Sequence, residues 1–144
     1  MKAPHLLRVE EGPERFAPLF AAAREAGLRL GWLDLAPLSQ PAGLPADLEA
    51  AAGQGALRAV AAGGGRSLAV KPLRGEPVLQ DLLREHFRGC VLVLVRSTST
   101  SEIPAAPRLQ VGGESWTVVP PGEAGRTYSV SDLVAALRRP RPWS

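Results

Sequence analysis

The spacing of apolar residues changes period several times along the chain, and each change predicts an element. Residues 5–10 (His-Leu-Leu-Arg-Val-Glu) predict a short first strand. Pro13 then suits a first helical position, where its missing N–H costs nothing. Phe16, Leu19, Phe20 and Ala23 fall at i, i+3, i+4 and i+7, which gives a helix one apolar face, and Gly27 is placed to end it. Leu28 to Leu35 is apolar on both sides, the pattern of a strand interior to a parallel sheet. After the Pro-rich stretch 36–45, a short Ala-rich helix is predicted over 46–52. Residues 56–62 and 67–71 read as two strands across Gly63-Gly64-Gly65-Arg66. The clearest helical pattern covers 76–88, with Val78, Leu79, Leu82, Leu83 and Phe87 on its inner side and Gly89 as stop. Cys90 to Val95 is apolar throughout, with β-branched Val91, Val93 and Val95 at alternate positions, which predicts the most buried strand.

A polar Ser/Thr run follows at 97–101. Arg108–Val111 and Ser115–Val119 then flank Gly112-Gly113-Glu114 as a hairpin. Ser131-Asp132 predicts the N-cap of a last helix carrying Leu133, Val134 and Leu137, which Pro140 terminates. Strands alternating with helices predict an α/β fold of three layers. Its sheet is mostly parallel, with a β-hairpin extension and a C-terminal helix. Nothing in the pattern divides the chain, so residues 1–144 are expected to form a single domain, with 138–144 as a basic, flexible tail.

Composition narrows the chemistry. One Cys and two His leave no disulfide framework and no Cys- or His-rich metal site. No signal-peptide pattern opens the chain and no apolar run is long enough for a membrane span, so a cytoplasmic location is expected. A net charge of +3 permits an anionic partner without requiring one. No cofactor is expected.

In a parallel sheet, ligands bind beyond the carboxyl ends of the strands. That edge gathers the primary candidates: Gly12 and Arg15, then Asp34, then Arg96, Ser97 and Thr98. Gly64, Gly65, Arg66 and Ser67 form a weaker phosphate candidate, because glycines bare their backbone N–H groups to an anion. Against that stand Val60 where a phosphate loop's first Gly belongs and a strand where a helix should follow. Cys90 opens an apolar strand and reads as an inert thiol. His86 has no nucleophile to serve. The tail Arg138-Arg139-Pro140-Arg141-Pro142-Trp143 offers cations and a stacking ring to nucleic acid, but one short run makes no extended basic face.

One resemblance runs through about residues 5–111. The stretch Leu19 to Leu33, a helix followed by Ala26-Gly27-Leu28-Arg29-Leu30-Gly31 and an apolar strand, together with Asp47 and Gly55-Ala56, the strand Cys90–Val95, and Pro107-Arg108-Leu109-Gln110-Val111, is similar in pattern and spacing to the molybdopterin-guanine dinucleotide biosynthesis adaptor (MobB-type) P-loop proteins. The resemblance implies a P-loop NTPase-like or Rossmann-like sheet and a tendency to form homodimers, for which the hairpin around Gly112-Gly113 is a candidate surface. The nucleotide loop itself is absent. Gly12 stands where the family's Walker lysine falls and Pro13 where its threonine falls, and Glu10 and Glu11 set two carboxylates where phosphates would lie. Asp34 replaces the family's Lys after its second strand, and Arg96 its Glu after the central strand.

The expected function is therefore a non-catalytic binding or adaptor protein linked to molybdenum cofactor (molybdopterin guanine dinucleotide) biosynthesis. Its partner would be another protein, a second copy or a small anion. The alternative is a small anion- or phosphate-binding enzyme working through Arg15, Asp34, Arg96 and Ser97. Nucleic-acid binding through the tail is a weaker reading.

Overall fold

The computed structural model describes residues 3–35, 45–73, 75, 78–96 and 106–143. The chain separates into two compact units, residues 1–36 with 82–144, and residues 37–81.

The larger unit is built on a sheet of β1 (His5–Val9), β2 (Leu30–Asp34), β5 (Leu92–Arg96), β6 (Arg108–Gly112), β7 (Ser115–Val119) and β8 (Arg126–Tyr128), in the order β2-β5-β1-β6-β7-β8. The first four strands run parallel; β7 and β8 are antiparallel additions. The fold is thus α/β with a mostly parallel sheet, as the alternation of elements predicts. Leu92 to Val95 are completely buried, because β5 is flanked on both sides by strands.

α1 (Ala17–Glu25) follows β1 through a 3-10 turn, Pro13–Phe16, and packs beside α4 (Val130–Ala136). Phe16 from that turn and Leu19 and Ala23 from α1 join Leu7, Val9, Leu92, Leu94, Leu109, Trp116, Val118, Leu133 and Leu137 in one core. Gly27, at φ 74, ends α1: its N–H donates to Arg24 O and the Leu28 N–H to Ala23 O, the paired bonds of a Schellman cap. On the other face of β2, Phe87, just past α3 (Leu79–His86), lies over Gly31.

Four expectations need correction. Leu28–Leu35 is not interior: β2 is the end strand of the sheet among the described residues. Leu28, Leu30 and Trp32 pack on the core, whereas on the other side Gly31 meets Phe87 and Leu33 and Leu35 are only half-buried. In α3, Leu83 is buried but Val78 lies before the helix and is 57% exposed. The last helix begins earlier than Ser131-Asp132 predicts, because Ser129 Oγ accepts from the Asp132 N–H at 3.1 Å and fixes the start at Val130. The terminal segment does not project. Arg138 donates to Ala26 O at the end of α1 (2.8 Å), and Trp143 meets Tyr128 edge-on with 6.1 Å between ring centroids.

In the smaller unit, α2 (Ala46–Gly53) packs on the hairpin of β3 (Ala59–Gly63) and β4 (Arg66–Val70). Gly63 pairs with Arg66, leaving a two-residue turn in which Gly64 and Gly65 have φ of 59° and 79°. Both signs are those of a type I′ turn, which explains the glycines without a ligand.

Candidate functional site

The parallel register aligns Val9, Arg96 and Asp34 in one row across the carboxyl ends of β1, β5 and β2. The strand order also makes the chain leave β1 toward β2 and leave β5 toward β6, in opposite directions. This is the topological switch at which open α/β sheets place ligands.

Three of the predicted residues meet there. The Arg96 guanidinium is ion-paired with the Asp34 carboxylate. It sits 5.7 Å from the centre of the Trp32 ring and is close enough to Gly12 that a Cβ added there would stand 3.7 Å from it. The hydrogen bond with Asp34 holds the Arg96 pKa above its ordinary value, desolvation opposes it, and the charges of Asp34 and Glu14 add to it. Cation–π attraction from Trp32 further fixes the guanidinium. Gly12 is extended at φ −73°, so its value lies in the space it leaves rather than in an unusual backbone. That space is already narrow, since the same Cβ would stand 2.9 Å from Glu14 Oε2.

Arg15 is held to one side. Its Nε lies 3.0 Å from Glu11 Oε2, and its terminal nitrogen donates to Val111 O at 3.3 Å. Arg108, which sequence reasoning did not select, lies 3.8 Å from Glu10 Oε1. Gln110, with its amide oxygen turned toward Arg108, accepts from its Nε at 3.3 Å. Each of these three arginines therefore has a carboxylate partner, and Glu10 and Glu11 spend their charge on cations of the same edge. Ser97 and Thr98 lie outside the described residues. Gly64, Gly65, Arg66 and Ser67 belong to the hairpin of the smaller unit.

A polar cleft of about 400 Å³ opens beside this edge, lined by Glu10, Glu11, Arg108, Gln110, Ser115 and Thr117. The signal for Arg108 and Gln110 was present in the sequence as alternate positions of the first hairpin strand, which share one face. The pairing with Glu10 was not, because it depends on β6 docking beside β1. A wider groove of about 820 Å³ lies among Pro107, Pro120, Pro121, Arg126, Pro142 and Trp143.

The remaining chemistry-bearing groups are dispersed. Burial pushes the Cys90 thiol up from its ordinary pKa, and Arg29 partly opposes the shift. The His86 Nε2 is 4.0 Å from Glu85 Oε2 on an exposed helix end. Among the described residues, no group of three or more His, Cys, Asp or Glu is arranged to hold a metal ion, and no helix is long and apolar enough to cross a membrane.

No protein family's profile matches the chain, and no curated protein sequence matches it.

Proposed function

We propose that this chain is a non-catalytic binding or adaptor module on a degenerate P-loop-like scaffold, serving molybdopterin guanine dinucleotide biosynthesis. The observation that carries the non-catalytic part is the pairing at the carboxyl edge: Asp34 with Arg96, Glu11 with Arg15 and Glu10 with Arg108. A phosphate arriving there competes with a carboxylate for the charge of each cation. A nucleotide-hydrolysing site instead needs backbone donors and cations already free for the phosphates. The link to the cofactor pathway rests on the sequence resemblance, and the homodimer expected of such a protein is part of the same reading.

Thermal-shift titration tests the first part. GTP with Mg²⁺ and inorganic phosphate should each leave the melting temperature unchanged. A rise with GTP–Mg²⁺ that disappears in Arg15→Ala would replace the adaptor reading with the anion-binding enzyme. For the pathway, deleting the gene should lower the activity of enzymes that use molybdopterin guanine dinucleotide, and the Arg15→Ala protein should restore it. Unchanged enzyme activity after deletion would remove the pathway link.

A further inference from the structure

At the carboxyl edge Arg15, Arg96 and Arg108 each have a carboxylate partner. At the other end of α1 the cations are not matched in this way. Arg24, in the last turn of α1, and Arg29, just before β2, are both exposed, and neither has a carboxylate within ion-pair distance among the described residues. Both line a groove of about 790 Å³ between α1 and β2. Its walls are mostly apolar, with Phe20 and Ala21 on α1 and Leu28 and Leu30 at the start of β2. Glu14, which precedes the first turn of α1, lines the opposite end.

The groove adjoins an open strand edge. β2 has β5 on one side and no strand on the other among the described residues. The register with β5, together with the bond from the Leu35 N–H to Arg96 O, decides which of its backbone groups are already engaged. Alternate residues of a parallel strand bond to opposite neighbours. Gly31, Leu33 and Leu35 therefore face β5, while Leu30 and Trp32 direct their N–H and C=O groups outward. The side chains of Leu30 and Trp32 pack on the same core as α1. Directly opposed residues of two strands share a face, so a strand laid against β2 would bond through the residues whose own side chains turn toward the groove.

We infer that β2 and this groove bind an extended, acidic segment of a partner protein, added antiparallel to β2 as a further strand. Antiparallel addition is the more stable pairing per residue, and it runs the segment from the Glu14 end to the end at Arg24 and Arg29. Two apolar residues, spaced two apart, lie opposite Trp32 and Leu30, and each exchanges both backbone bonds with β2. An aspartate or glutamate two positions further on meets Arg24 and Arg29. The backbone bonds supply affinity and the alternate side chains supply selectivity. A basic segment would set its charge against two guanidiniums, and a wholly apolar one would leave them without a counter-charge. Such a partner gives the adaptor reading its chemistry and rests on that reading only in being a protein. Peptide binding and the phosphate titration are separate measurements, so either can fail alone.

A random octapeptide library displayed on phage, selected against the full chain, provides the test. Enriched peptides should carry apolar residues at alternate positions and an aspartate or glutamate two places beyond the second. Synthesised singly, such a peptide should bind the double variant Arg24→Gln, Arg29→Gln about tenfold more weakly than the wild type. Arg126→Gln, which removes an exposed cation of β8, should leave its affinity unchanged. N-methylation of either apolar residue removes a donor to β2 and should abolish binding, whereas N-methylation of the residue between them should not. Hydrogen exchange at the Leu30 and Trp32 amides should be fast in the free chain and slow with peptide bound. An absence of enrichment overturns the inference, as does a peptide that binds the double variant as tightly as the wild type or leaves those amides unprotected. So does protection of the two amides without peptide, which would mean that another part of the chain, or a second copy, already covers this edge.

Discussion

Gly31 offers the sharpest test of how the sheet is packed. Its position in β2 needs no unusual backbone, so the glycine is explained by space alone. An alanine Cβ would stand 2.5 Å from Phe87 Cδ1, 2.8 Å from Cε1 and 3.4 Å from Cys90 Sγ. Carbon atoms settle at about 3.5–4.0 Å, so the Phe87 ring would have to retreat by roughly 1 Å against its neighbours. Overpacking of this kind costs about 1–3 kcal/mol. The stiffer unfolded chain returns about 0.4–1 kcal/mol of that. Gly31→Ala should therefore lose about 1–2 kcal/mol, which for a chain of this size lowers the melting temperature by about 2–4 °C per kcal/mol. Urea denaturation of Gly31→Ala, Phe87→Ala and the double variant isolates the contact. Once the ring is gone the alanine has room, so the double variant should lose less than the sum of the singles by about 1 kcal/mol or more. A neutral Gly31→Ala, or additivity within about 0.3 kcal/mol, would refute the claim that Phe87 excludes a side chain here.

Ser129→Ala should cost about 1 kcal/mol in thermal unfolding by uncapping α4, and Ser131→Ala should cost little. Trp143→Ala should cost about 2 kcal/mol in urea, roughly half the value for a fully buried Trp, because Trp143 is half-buried against Tyr128; no loss would mean that the terminal segment is not docked in solution. The Cys90 pKa is raised in the fold, so the neutral thiol is favoured there, and its contribution is complete below the unfolded pKa and lost as pH rises through the folded one. Alkylation by iodoacetamide at neutral pH should thus be slower in the folded protein than in urea, and stability should fall more steeply at alkaline pH in wild type than in Cys90→Ser. Asp34→Asn should lose no more than about 1 kcal/mol, and the loss should shrink with added salt, since both partners of the ion pair are about a third exposed.

Periodicity was enough to place nearly every strand and helix of the larger unit, because burial on one face imposes a period that survives in the sequence. What it missed has particular causes. β8 is three residues long, Arg126–Tyr128, too short for any alternation to register. β2 was set inside the sheet because a two-sided apolar pattern cannot distinguish two neighbouring strands from one strand plus a tertiary contact, here Phe87 on Gly31. The start of α4 was displaced because Ser129 and Ser131-Asp132 are both good capping residues, and the choice belongs to the backbone. The tail read as free because the partners of Arg138 and Trp143 are Ala26 and Tyr128, neither of which marks itself as a docking point in the sequence.

The carboxyl edge was legible in position but not in electrostatics. Strand ends alone located Gly12, Asp34 and Arg96, since parallel strands in register end together. Whether such an edge attracts an anion depends on which charges find each other, and that is decided by side chains from strands far apart in sequence. Arg96 reaches Asp34 across one strand boundary, and Arg108 reaches Glu10 only because β6 docks beside β1. Read in isolation, Arg15, Arg96 and Arg108 suggest a cationic edge; read with their partners, they make a nearly neutral one. Exposed pairs of this kind each contribute at most about 1 kcal/mol, so they do not hold the fold together. Their consequence is for binding. Removing one carboxylate, as Asp34→Asn does beside Arg96, leaves the charge of Glu14 acting on that guanidinium and should raise affinity for inorganic phosphate above that of the wild type. A titration showing equal binding by both proteins would mean that pairing with Asp34 does not govern anion affinity at this edge.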